Sequence, residues 1–131
     1  MYTKFEYNKD QKGRDKLFGI QEPKTDYISY RGLNVGTLQI LLDAKFANPD
    51  ETQNEAPCVQ EIYDFMSKYP EFTAHGYLIG LERDDYRVSI EGVEGEAKSD
   101  QALQEFIDIF READEFEIKI TGNRYCRCWY D

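Results

Sequence analysis

The chain has 131 residues, a formal net charge of −10, ten Tyr, eight Phe and three Cys. This length and aromatic content fit a single compact domain spanning residues 1–131 and exclude a disordered chain. No apolar run reaches the ~18–20 residues of a membrane span, the start Met1-Tyr2-Thr3-Lys4 has no apolar signal region, and an odd Cys count makes no disulfide framework, so a cytoplasmic setting without membrane contact is expected.

The charge is uneven. Glu82–Glu117 carries −9, whereas Met1–Arg31 and Ile118–Asp131 are each +2. A surface this acidic cannot displace counterions from a phosphate backbone, which excludes direct nucleic-acid binding.

In chain order, Met1–Gln21 has apolar residues at Tyr2, Phe5, Tyr7, Leu17, Phe18 and Ile20 around a polar middle, Asn8–Asp15. It reads as two short strands flanking a loop. Pro23 and Asp26 mark a turn, and Tyr27–Tyr30 is a strand ended by Gly32. Asn34 is suited to cap a helix over about 35–46, with Leu33 and Leu38 as a hydrophobic staple and Leu38, Leu41, Leu42 and Phe46 on one face. Asn48-Pro49 stops it. Pro57 opens a second helix over about 58–69, with Val59, Ile62, Tyr63, Met66 and Tyr69 at spacings of three and four.

Tyr77–Arg83 and Tyr86–Glu91 read as a hairpin around Asp84-Asp85, pairing Leu81 with Val88 and Ile79 with Ile90. Gly92–Glu96 reads as a linker. Ser99 or Asp100 caps a strongly amphipathic helix over about 100–113, with an apolar stripe of Ala102, Leu103, Phe106, Ile107, Ile109, Phe110 and Ala113. A last hairpin, about 116–130, turns at Gly122-Asn123. A two-residue loop there sets Ile120 opposite Tyr125, Ile118 opposite Arg127 and Phe116 opposite Trp129. Trp129 and Tyr125 then join the core face, and Cys126 and Cys128 fall on the polar one with Lys119, Arg124 and Tyr130. The fold class is α+β: an antiparallel sheet of two β-hairpins, about 77–91 and 116–130, with the three amphipathic helices packed on one face.

Few residues are equipped for chemistry. Cys58 sits at a helix start, where free N–H groups stabilise a thiolate, and His75 is the only His. A Cys58–His75 pair would be a thiol hydrolase, although the residues around Cys58 match no nucleophile signature. Cys58, His75, Cys126 and Cys128 have the donor types for zinc, but Cys-x-Cys lacks the spacing of a zinc knuckle, so no metal is expected. Glu91, Glu94 and Glu96 lack the ligand order of a calcium loop. Gly92–Glu96 places acids where a phosphate would sit, and no cofactor motif is present. Acids remain: Glu105, Asp108 and Glu112 form a row on one helix face, Asp84 and Asp85 lie at the first hairpin turn, and Glu91 ends its returning strand.

These readings converge on a small acidic cytoplasmic interaction module, an adaptor or an immunity-like inhibitor, that is non-enzymatic and binds a basic protein partner through its acidic surface. The two other readings are the Cys58–His75 hydrolase and an inhibitor whose carboxylates imitate a phosphate backbone.

Overall fold

The computed structural model describes residues 4–22 and 26–131, with Thr121 described by its backbone alone. The turn expected at Pro23 and the apolar role of Tyr2 lie outside the described residues. The fold is α+β. Its elements are α1 (Gln11–Lys16), β1 (Tyr27–Leu33), α2 (Val35–Asp43), α3 (Val59–Lys68), β2 (Thr73–Ile79), β3 (Arg87–Glu96), α4 (Asp100–Phe110), β4 (Glu115–Thr121) and β5 (Asn123–Trp129). The five strands form one antiparallel-paired sheet in the order β1-β2-β3-β5-β4. β5 is thus inserted between β3 and β4, the two strands that α4 connects.

The helices begin where side chains can satisfy free backbone N–H groups. Asn34 caps α2 by accepting from the Thr37 N–H at 2.8 Å. Ser99 caps α4 by accepting from the Ala102 N–H at 3.0 Å. Cys58 is the N-cap of α3, which moves Pro57 just outside that helix, and the Glu61 carboxylate accepts from the Cys58 N–H at 3.2 Å. α2 ends at Asp43, before the expected stop, and Lys45 leaves it with a φ of 64°.

Leu38 and Leu41 of α2, Ile62, Phe65 and Met66 of α3, and Phe106 and Phe110 of α4 bury against Ala74, Leu78, Val88, Ile90 and Val93 of the sheet. Phe65 is central to this layer, with ring centroids 4.9 Å from Phe72 and 5.1 Å from Phe110. Each such buried side chain contributes roughly 1.5–3 kcal/mol of transfer free energy.

Four sequence expectations are corrected. First, the polar middle of the N-terminal stretch is a helix, not a loop between strands. Asp10 caps α1 by accepting from Gly13, and what α1 buries is polar: Gln11, Arg14 and Asp15. Arg14 and Asp15 are fully buried and paired at 2.8 Å. Arg14 also donates to the carbonyls of Ile79 and Arg87 and lies 4.6 Å over the Tyr86 ring. Hydrophobic periodicity cannot see such a helix.

Second, β1 runs past Gly32 to Leu33, because Gly32 takes a φ of 73° and absorbs an irregularity between Tyr30 and Leu33. It becomes a fifth strand at one edge. Third, the β2–β3 turn is wider than expected. Leu78, not Leu81, pairs with Val88, and Gly76, not Ile79, pairs with Ile90. Leu81 is left exposed in the loop, where Asp85 is held by Arg83 and Arg87. Gly92–Glu96 is not a linker but the far half of β3, paired on both sides.

Fourth, the last hairpin is shifted by one residue. Thr121 pairs with Asn123 around Gly122 alone, whose φ is 91°. Ile120 therefore faces Arg124, Ile118 faces Cys126 and Phe116 faces Cys128. Because strand side chains alternate, a shift of one exchanges the faces of the whole returning strand. Cys126 and Cys128 join the core, fully buried, and Tyr125, Arg127 and Trp129 move to the opposite face.

Candidate functional site: the helix-free face of the sheet

The face opposite the helices gathers side chains from four strands. The register places Ser29, Tyr77 and Ser89 in one row, Tyr27, Ile79 and Arg87 in the next, and Glu94 opposite Arg127. His75 and Trp129 lie between these rows.

His75 is the fixed point. Its ring crosses β3 where Gly92 leaves room, and Nε2 lies 2.9 Å from the Cys128 carbonyl of β5. A carbonyl only accepts, so Nε2 carries the proton and donates. Trp129 stacks on the ring with centroids 4.7 Å apart and planes 9° apart. Tyr77 meets Trp129 edge-on at 6.1 Å, and Tyr27 meets Tyr77 at 5.9 Å. The Arg127 guanidinium stands 5.9 Å over the indole. Together they form a strip of aromatic rings with the Arg127 cation over one end.

Glu94 organises the other half. It accepts two bonds of 2.8 Å from Arg31, one to each carboxylate oxygen, and one of 2.9 Å from the Tyr125 hydroxyl. Burial alone would raise its pKa, but Arg31 and Tyr125 outweigh that and hold it below the usual carboxylate range. His75 Nδ1 is 3.9 Å from the same carboxylate. Burial nonetheless pushes the His75 pKa down, so the ring is neutral at pH 7. In this cluster Glu94 is paired with Arg31 and Tyr125, and Arg127 with Glu115 at 3.0 Å.

The sequence-derived candidates are placed as follows. Cys58 caps α3 on the helix side, half exposed, while His75 lies on the opposite face of the sheet. The ring nitrogens of His75 meet Cys128 and Glu94, and Cys58 is not among the groups around them. Cys126 and Cys128 are in the core, with burial pushing the Cys128 thiol up to about 12. Among the described residues, no group of three or more His, Cys, Asp or Glu is placed to hold a metal ion.

The acids divide. Glu105 is paired with Lys68 at 3.1 Å, which holds its carboxyl low. Asp85 is held low first by Arg87 at 2.7 Å and also by Arg83. Glu91 is buried, is pushed up by that burial, and accepts from the Ser89 hydroxyl at 2.9 Å. Asp84 is exposed beside a cleft of about 600 Å³ between the loop and Phe5–Tyr7. Asp108 and Glu112 are exposed, and among the described residues no cation pairs with them. They are not alone. Asp131 donates its backbone N–H to the Asp114 carboxylate at 2.7 Å, and Glu112 and Asp114 both act on the Tyr130 hydroxyl.

Sequence reasoning missed Arg31, Tyr77, Glu94, Tyr125 and Trp129 as one surface. A signal did exist. Cys is among the most buried residue types, so Cys126 and Cys128 argue for the register that turns Tyr125, Arg127 and Trp129 outward. Among the described residues, no helix is long and apolar enough to cross a membrane. No family model, curated protein or solved structure matches this chain.

Proposed function

We propose that this protein is a small, non-enzymatic interaction module of the cytoplasm that offers an acidic surface to a basic protein partner. The observation that supports it is the set of carboxylates around the end of α4 that have no cation partner among the described residues. Asp108 projects from the last turn of the helix, Glu112 lies just beyond its C-cap Arg111, and Asp114 and Asp131 follow at the adjoining end of the sheet. The last turn of α4 contains no basic residue, and Arg111 follows as its C-cap, so the acids around this end outnumber its cation. Glu105 and Asp85 leave this surface because their own cations neutralise them, and Glu91 leaves it by burial. Three free thiols accord with a reducing compartment.

The test is capture of partners from a cell extract by the immobilised protein at low and at high salt, with D108K/E112K beside the parent chain. Capture that is lost in high salt and in the variant is expected. Capture of the same partners by the variant at both salt concentrations, or no partner at all, would sink the proposal.

A further inference from the structure

The outer edge of β4 lies apart from Asp108 and Glu112. β4 ends the sheet and, among the described residues, pairs with β5 alone. Among the described residues, no backbone hydrogen bond is made from its other edge. An open row of strand N–H and C=O groups is a template for another strand, and proteins normally blunt such edges with charged side chains, Pro, bulges or inward charges, of which β4 has only the charged side chains Glu115, Glu117 and Lys119. β4, Glu-Phe-Glu-Ile-Lys-Ile-Thr, has no Pro, and its pairing with β5 is unbroken by a bulge. The opposite edge differs: β1 is interrupted between Tyr30 and Leu33. β4 also exposes apolar groups on its helix-side face, with Phe116 37 % and Ile120 67 % exposed.

We infer that the occupant of this edge is a second copy of the same chain, paired antiparallel β4 to β4 about a two-fold axis through Ile118. The argument is self-complementarity. In that register Phe116 meets the partner's Ile120, Ile118 meets the partner's Ile118, and Glu117 meets the partner's Lys119, each of these twice except the central pair. Apolar residues face apolar ones on the helix side, and opposite charges face each other on the free side. Neighbouring registers fail. An axis through Glu117 or Lys119 sets like charges directly opposite, which is unfavourable, and an axis between two residues sets apolar side chains against charged ones. Glu117 and Lys119 are both exposed and pair with each other at 3.5 Å within one strand, a solvent-screened contact that each would exchange for the partner's opposite charge. The product is one continuous ten-stranded sheet with an isologous interface.

The charges give a direct test. E117K alone sets Lys against Lys across the axis twice, and K119E alone sets Glu against Glu twice. An equimolar mixture of the two single variants, or the double variant E117K/K119E, sets opposite charges together again. The mass of the parent chain is read by sedimentation over a concentration series reaching the millimolar range, with circular dichroism confirming that each variant folds. Expected are a concentration-dependent dimer, a dissociation constant raised at least about tenfold in each single variant, and recovery in the mixture and in the double variant. A parent chain that stays monomeric throughout overturns the inference, and so does a dimer indifferent to both single substitutions. Neither residue belongs to the Asp108–Glu112 surface, so a negative result here leaves the capture experiment unaffected, and the reverse holds.

Discussion

The imidazole of His75 lies parallel to the indole of Trp129, 4.7 Å away, while its Nε2 reaches over Gly92 to the Cys128 carbonyl. Three strands are tied at that one point. Because burial lowers the His75 pKa below its ordinary 6.5, the unfolded chain takes up the proton first as pH falls. The stability this neutral ring provides is complete above pH 6.5 and is lost as pH drops from there toward the folded pKa. The loss proceeds at no more than about 1.4 kcal/mol per pH unit. Glu91 acts in the opposite sense, since its raised pKa is relieved by protonation. The difference between parent and variant isolates the histidine. Thermal unfolding between pH 7 and pH 5 is expected to show a steeper decline in the parent than in H75Q, which keeps an N–H for the Cys128 carbonyl.

Gly92 is fixed by the same geometry. A Cβ there would overlap the Cys128 carbonyl oxygen and stand 2.5 Å from His75 Nε2. Both obstacles are held in place by the sheet, so neither can swing aside. G92A is expected to cost about 3 kcal/mol in urea unfolding, at the upper end of overpacking effects. Gly36 in α2 is the control. Its added Cβ meets only Asn34 Oδ1 at 3.4 Å, and G36A is expected to be neutral or to stabilise by about 0.5–1 kcal/mol.

The register of the last hairpin makes a prediction about thiol chemistry. Cys58 is half exposed at its helix start, whereas Cys126 and Cys128 are buried with raised pKa values. Thiolates react and thiols do not. One equivalent is expected to react rapidly with a chromogenic disulfide in the native protein, three in denaturant, and none rapidly in native C58A. Two or more fast equivalents in the native chain would return the cysteines to the solvent face.

The Arg14–Asp15 pair is the strongest electrostatic commitment in the fold. Both side chains are buried, and among the described residues Arg14 Nη2 finds no acceptor. Removing one partner strands the other. R14M is expected to cost about 3–5 kcal/mol, and R14M/D15L less than R14M alone, because the double change leaves no unpaired buried charge. Urea denaturation of the two variants decides it.

Much of this molecule was legible before folding. The caps Asn34 and Ser99, the apolar stripes of α2, α3 and α4, and the existence of two hairpins follow from side-chain geometry within a few residues. The rows of Val88 and Ile90 against the helices follow from strand alternation. What failed depended on contacts distant in sequence. α1 buries an ion pair that has meaning only beneath Tyr86 and the carbonyls of Ile79 and Arg87. β3 extends through Gly92 and Gly95 because β5 lies beside it, and those glycines, which read as a linker, admit the His75 ring and the Phe72 segment.

The charge row on α4 shows the same division. Its spacing was visible, yet whether Glu105 is free depends on Lys68, thirty-seven residues away. By itself the sequence determined the α+β class, the helix boundaries near their caps and the acidic balance, since these rest on local periodicity and composition. Only the tertiary structure decided the face of Trp129, Cys126 and Cys128 and the identity of the unpaired acids. A shift of one residue at Gly122 costs little locally, and only the core packed by Phe106 and Phe110 chooses between the two faces.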